Sequence, residues 1–336
     1  MSTPALAAKD YASNQEVRWC PGCGDYAILK AVTKTLADLQ LPREQTVFVS
    51  GIGCASRFPY YVSTYGFHTI HGRAPAIATG IKLANPALDV WVVMGDGDAL
   101  SIGGNHTLHV LRRNVDLTLL LFNNEIYGLT KGQASPTSKR GTQSPSTPRG
   151  SIDTPLVPGA FALGAGARFF ARAVDVQQPL LVDVLKRAHA HRGAALVEIF
   201  QNCVVFNDGV FHEFTERAVV DDNQIHVEHG KPLRFGKGGV RGLRVRPGTL
   251  QLEVVTPGED GITDADILVH DEKDPVLASM LVHLETPAFP VAVGVIYDHP
   301  GRCYEADLMA EVEAEMAGGK ADLGALMTGG GQTWER

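Results

Sequence analysis

Two short runs in this chain hold side chains whose chemistry packing alone does not explain. Cys20-Pro21-Gly22-Cys23 sets two thiols at the spacing that clasps one soft metal centre, with Pro and Gly permitting the tight loop between them. Gly95-Asp96-Gly97-Asp98 closes an apolar run, and Asn124 follows after 26 intervening residues past Gly97. A carboxylate and a neutral amide oxygen suit a hard divalent cation of the kind that holds a diphosphate, and flanking glycines let backbone N–H groups approach phosphate. Ile126 can add a backbone carbonyl to the same shell. Taken singly, each run has a plainer reading. The first could be a zinc half-site or a redox dithiol, the second a strand-to-helix turn with an Asp cap. Two further cysteines weigh on the choice: Cys54 ends Gly51-Ile52-Gly53, and Cys203 lies just past another apolar run. Four thiolates are what a [4Fe–4S] cluster requires. Cys303, in a polar His-Pro-Gly-Arg-Cys context, is the spare.

The elements that must position these residues are legible from periodicity. Apolar residues at Ile28, Leu29, Val32, Leu36 and Leu39 predict a helix over Asp25–Leu39, stopped by Pro42. A short buried strand at 47–49 leads into Gly51-Ile52-Gly53-Cys54, and a helix is expected over Ala74–Ala84. The run 89–94 reads as a strand delivering the glycine-aspartate turn, then come a helix at 103–113 and a strand at 117–122. Helix and strand resume over 161–173, 178–191 and 195–200. This alternation predicts an α/β fold, a doubly wound and mostly parallel sheet with ligands at the carboxyl ends of its strands. The segment 132–159 is rich in Ser, Thr, Pro and Gly, too broken for a regular helix or central strand. It reads as a flexible connection or as a loop ordered against cofactor or partner. From about residue 223 glycine punctuation takes over, so the expected division is 1–222 as the cofactor-binding domain and 223–336 as a C-terminal extension or small appendage.

Bulk properties exclude other classes. The 336 residues, 44% hydrophobic and 20% charged, are ordinary for a globular protein. A net charge of -7 leaves no basic excess for nucleic acid. No apolar run approaches the length of a membrane span, and no basic-then-apolar leader precedes the chain, which implies a cytoplasmic protein. Five cysteines, an odd number, do not suit a disulfide framework.

In combination these runs carry a resemblance. Trp19-Cys20-Pro21-Gly22-Cys23-Gly24, Gly51-Ile52-Gly53-Cys54, His71-Gly72-Arg73-Ala74-Pro75, Gly95-Asp96-Gly97-Asp98 and Tyr127-Gly128-Leu129-Thr130-Lys131-Gly132-Gln133 together resemble the beta subunit of 2-oxoacid:ferredoxin oxidoreductases. The Arg57-Phe58-Pro59-Tyr60-Tyr61 and Tyr65-Gly66-Phe67-His68 contexts are most similar to the 2-oxoglutarate synthase branch. The likeness covers roughly the first two thirds of the chain.

The resemblance implies a thiamine-diphosphate enzyme that oxidatively decarboxylates 2-oxoglutarate to succinyl-CoA, passing electrons through the cluster to ferredoxin. Run in reverse, the same reaction fixes carbon dioxide. It implies Cys20, Cys23, Cys54 and Cys203 as cluster ligands, and Asp96, Asn124 and the Ile126 carbonyl as Mg2+ ligands. Ile52, Gly53, Cys54, Ala55, His71, Gly97, Asp98, Gly128 and Leu129 match walls of the thiamine diphosphate site. Arg57 matches a basic residue that receives the 2-oxoacid carboxylate, with Leu129 beside the substrate. No glutamate stands where one could activate the aminopyrimidine ring, so a partner alpha subunit is expected to bring it, the two forming a heterotetramer of two alpha and two beta chains. Pyruvate or a broad range of 2-oxoacids is the alternative substrate, and a non-oxidative thiamine-dependent decarboxylase, which needs no cysteines, the alternative reaction.

Overall fold

A computed structural model describes residues 5–319 and 322–329. Eight strands form one sheet: β1 (Thr46–Ser50), β2 (Tyr65–His68), β3 (Asp89–Gly95), β4 (Leu117–Asn123), β5 (Phe169–Val174), β6 (Ala194–Phe200), β7 (Gln224–Val227) and β8 (Val291–Asp298). Their spatial order is β2, β1, β3, β4, β6, β5, β8, β7. Neighbours run parallel except β5 and β8, which are antiparallel. The helices that matter here are α1 (Asp25–Leu39), α2 (Ala74–Ala84), α3 (Gly104–Arg113), α4 (Pro158–Gly164), α5 (Gln178–Ala190) and α6 (Pro275–Leu281).

The continuous apolar strands have two buried faces. On β3, Val90, Val92 and Met94 join one core with α2, α3, α4 and α6, while Trp91 and Val93 join the other with α1 and α5. Strand periodicity of two therefore sorts a single run into two layers of packing. In the second layer Phe48, fully buried, stacks between Phe58 at 5.3 Å and Trp91 at 5.8 Å. Phe48→Ala is expected to lower unfolding stability by about 3–5 kcal/mol, read from denaturant titration of the cofactor-free chain. A loss below roughly 1 kcal/mol would mean that this stack carries little of the core.

Strand order reverses at β1, with β2 on one side and β3 on the other. The crevice at such a switch point lies between the carboxyl ends of β1 and β3. These ends deliver Gly51-Ile52-Gly53-Cys54 and Gly95-Asp96-Gly97-Asp98.

Two features differ from the sequence reading. The sheet continues past residue 222, since β7 and β8 are its last two strands, so the expected division at 222/223 does not fall at the sheet's edge. Between them, 228–290 carries a small three-stranded antiparallel sheet and α6. Their apolar residues Leu233, Phe235 and Leu243 pack into the first core. Second, β2 is an edge strand whose four residues are all exposed, Tyr65 by 62%. Among the described residues no helix is long and apolar enough to cross a membrane.

Candidate active site

The Cys20–Cys23 loop closes as its sequence suggests. Gly22 takes a left-handed φ of 84°, and the Cys23 N–H donates to the Cys20 carbonyl at 3.0 Å, which gathers both side chains to one side. The Trp19 indole donates to the Cys54 carbonyl at 2.8 Å and packs edge-on to Tyr61 at 4.7 Å, tying this loop to the β1 turn. Gly128 lies against two of the sulfurs: a Cβ there would stand in van der Waals contact with Cys203 Sγ at 3.5 Å and Cys54 Sγ at 3.8 Å. Cys20, Cys23, Cys54 and Cys203 line one cavity of about 170 Å³, shared with Arg57, Asn124, Gly128, Leu129 and Lys131. Cys303 is buried elsewhere, facing the Gly301 carbonyl.

Burial first, then the nearby Asp25 carboxylate, push the Cys23 thiol well up; the same causes, with Cys203 and Cys20 adding, raise Cys54 to about 11. Asp25 itself is buried with neither carboxylate oxygen partnered, and burial lifts it to about 7. Burial thus disfavours the thiolate at Cys23 and Cys54 unless a positive centre is bound beside them. Among the described residues no three His, Cys, Asp or Glu side chains converge closely enough to hold a single ion. Four cysteine side chains lining one cavity are the donor set that a thiolate-ligated iron–sulfur group would take.

At the end of β3 the two aspartates part. Neither caps a helix: the chain makes one wide turn over Asp98–Ile102 before α3 begins, with no side-chain cap. Asp98 turns back instead, its Oδ1 accepting from Ile52 N at 3.1 Å and Gly72 N at 2.7 Å and lying 2.5 Å from His71 Nδ1. Its Oδ2 is buried and unpartnered. Asp98 thereby fastens His71 to the Ile52-Gly53 turn, and Ala55 is buried directly behind that turn. A Cβ on Gly97 would overlap the Tyr127 ring, whose hydroxyl donates to the Gly97 carbonyl at 3.2 Å. Only glycine lets the turn and the Ile126-Tyr127-Gly128 segment come this close.

Asp96 is 2% exposed, and burial raises its carboxyl to about 6 against the pull of two hydroxyls. Those hydroxyls come from the 132–159 loop: Ser135 and Thr137 Oγ each lie 2.5 Å from Asp96 Oδ2. Ser138 donates to the Glu125 carbonyl, also at 2.5 Å. The start of the loop is therefore packed on the turn, with Ser135, Thr137 and Ser138 all buried. Sequence reasoning missed these three residues. Asn124 completes the set, its Oδ1 accepting from Ile126 N at 3.2 Å.

Arg57, in the short helical turn Ala55–Tyr60, borders both the cysteine cavity and a neighbouring open one of about 500 Å³. The second cavity is lined by Arg18, Ile52, Gly53, Tyr60, His68 and Leu129 among others. Among the described residues Arg57 has no carboxylate within ion-pair distance, leaving its charge available to an anion.

A parallel switch-point sheet with a buried aspartate, an asparagine and a glycine turn at its strand ends defines the diphosphate-binding half of a thiamine-type enzyme. Residues 51–199 match the family model described as thiamine pyrophosphate enzyme, C-terminal TPP binding domain. The chain is 50% identical over 331 residues to 2-oxoglutarate oxidoreductase subunit KorB of Mycobacterium tuberculosis, spanning 97% of this chain and 87% of that one. It is 38% identical to 2-oxoglutarate synthase subunit KorB of Methanocaldococcus jannaschii, over 64% of this chain and 81% of the relative. The solved structure of 2-oxoglutarate:ferredoxin oxidoreductase from Magnetococcus marinus, with 2-oxoglutarate, coenzyme A and succinyl-CoA bound, superposes with a TM-score of 0.76 at 32% identity. That match covers 98% of this chain and 97% of the other. The chain belongs to the beta-subunit family of the 2-oxoacid:ferredoxin oxidoreductases.

Proposed function

We propose that this chain is the beta subunit of a 2-oxoglutarate:ferredoxin oxidoreductase, forming succinyl-CoA and carbon dioxide, and able to run in reverse with a sufficiently reduced ferredoxin. The observation that carries this reading is convergence. Cysteines far apart in sequence, from Cys20 to Cys203, share one cavity with Asn124 and Gly128. A non-oxidative thiamine enzyme has no use for that convergence.

Asp96, Asn124 and the Ile126 carbonyl would hold Mg2+, with the Gly97 turn admitting the diphosphate. The four cysteines would hold a [4Fe–4S] cluster. When bound, thiamine diphosphate supplies an electron sink beside the 2-oxo carbon, and the cluster accepts electrons one at a time. The chain's own work is placement. Arg57 receives the substrate carboxylate, His71 is held to the site wall by Asp98, and Ile52 and Leu129 border the reacting region.

The same surface supports a partner. Ile52, Tyr65, Phe67, Ile70, Ile102 and Leu129 are all exposed, Ile70 by 74%. An apolar band of this kind around a site mouth marks a surface that another chain covers. An alpha subunit would occupy it, bring the carboxylate that activates the aminopyrimidine ring, and give the two-alpha, two-beta assembly.

The test is an anaerobic assay of the chain purified with its partner, offering 2-oxoglutarate or pyruvate with coenzyme A, and reading viologen reduction and iron. Reduction with 2-oxoglutarate and about four irons per chain support the reading. Faster turnover of pyruvate would move the substrate, and an iron-free sample prepared without air would remove the cluster. In the same assay Arg57→Gln is expected to raise KM for the 2-oxoacid about 10- to 100-fold while leaving iron content unchanged, one charged hydrogen bond's worth. An unaltered KM would remove Arg57 from the carboxylate.

A further inference from the structure

Gln201 is the first residue past β6, is 1% exposed, and is pinned by its backbone N–H to the Asn123 carbonyl at 2.8 Å. Its side chain lies between the two halves of the site. Gln201 Oε1 accepts from Asn124 Nδ2 at 2.7 Å, and Gln201 Nε2 donates to the Asn202 carbonyl at 2.6 Å and to Cys23 Sγ at 3.3 Å.

Backbone groups at both ends fix the direction of this relay. The Ile126 N–H can only donate, so the Asn124 atom facing it is the oxygen, and the amide nitrogen must face Gln201. The Asn202 carbonyl can only accept, so the Gln201 atom facing it is the nitrogen. One orientation of both amides satisfies every partner. In that orientation the Asn124 oxygen keeps a second lone pair, and the Cys23 sulfur receives an N–H.

We infer that Gln201 is a positioning residue that joins the two cofactor sites: it holds the Asn124 amide with its oxygen available to the cation, and it gives the cluster a hydrogen bond at Cys23. The inference rests on Asn124 as a cation ligand and Cys23 as a cluster ligand. Residues that orient ligands in this way tune the affinity of a site, and hydrogen bonds to sulfur tune the potential of a cluster. An N–H donor stabilises the more negative, reduced cluster, so its loss drives the reduction potential down.

Two variants of the complex with its partner separate the functions. Gln201→Leu removes acceptor and donors together. It is expected to weaken Mg2+-dependent thiamine diphosphate binding roughly 10- to 100-fold by calorimetry, and to shift the cluster potential more negative in a dye-mediated spectroscopic titration. Gln201→Glu keeps the acceptor toward Asn124 and removes both donors, so the potential falls while cofactor affinity stays near that of the parent. A residue that served packing alone would lower stability and leave both quantities unchanged; that result overturns the inference. Should either variant fail to fold, the parent enzyme carrying glutamine side-chain 15N is expected to show 15N coupling to the reduced cluster by pulsed electron paramagnetic resonance. Absence of that coupling overturns the sulfur half. Asn124→Ala is the control: if it leaves cofactor affinity unchanged, the cation-ligand reading itself fails and takes the inference with it. If Asn124→Ala weakens binding and the Gln201 variants do not, only the inference fails.

Discussion

Asp96→Asn is expected to weaken Mg2+-dependent thiamine diphosphate binding by a factor on the order of 10³ and to abolish turnover, while iron content stays at the parent level. In the proposed site the cation would be held by one carboxylate, one amide and one backbone carbonyl, so this variant would remove its single anionic protein ligand, a contact worth several kcal/mol. The stability outcome has the opposite sign. Burial holds the Asp96 carboxyl at about 6, which means that the ionised form is disfavoured in the cofactor-free protein. An uncharged amide of the same size relieves that burden and can still accept from Ser135 and Thr137, so the cofactor-free chain should unfold no earlier than the parent. Calorimetry with the cofactor and thermal unfolding without it check both halves. Iron loss or early unfolding in Asp96→Asn would assign the residue to scaffolding.

Cys203→Ala is expected to take iron from about four per chain to near zero and viologen reduction to background, with thiamine diphosphate binding retained. Cys203 is the most distant member of the set in sequence, and only the fold brings it to the cavity that holds Cys20, Cys23 and Cys54. Cys303→Ala, at the buried cysteine away from this cavity, should change neither reading. If Cys203→Ala keeps its visible absorbance and iron, the cluster is ligated otherwise.

Much of this arrangement can be read from the sequence, for a physical reason. Parallel strands buried on both faces must be continuous apolar runs, and 89–94 and 117–122 announce themselves as such; the structure extends each by one residue into the turn it delivers. Helix α1 spans the predicted Asp25–Leu39, because its apolar spacing and its stop are both local signals. What escaped was contact carried by residues with no periodicity. Ser135 and Thr137 lie in a stretch whose composition reads as a linker, and nothing local says that their hydroxyls meet Asp96. Gln201 is likewise an unremarkable polar residue at a strand end until β6 is placed beside β4. The edge strand β7, only four residues long, does not stand out from its surroundings, whereas β8 is a buried apolar run of eight residues, legible in the sequence but passed over in reading the region after 223 as an appendage. A long Ser/Thr-rich loop directly after the Asn124 turn was the one available hint of buried hydroxyls.

The bare edge at β2 has a bearing on how the protein is supplied in the cell. Tyr65, Gly66, Phe67 and His68 leave one row of backbone N–H and C=O groups open beside exposed aromatic rings. Such an edge is a template for pairing with any passing strand, its own copies included. Matched synthesis with a covering chain then becomes a matter of proteostasis as much as of catalysis. Beta chain made in excess of a covering partner is then expected to self-associate through this edge.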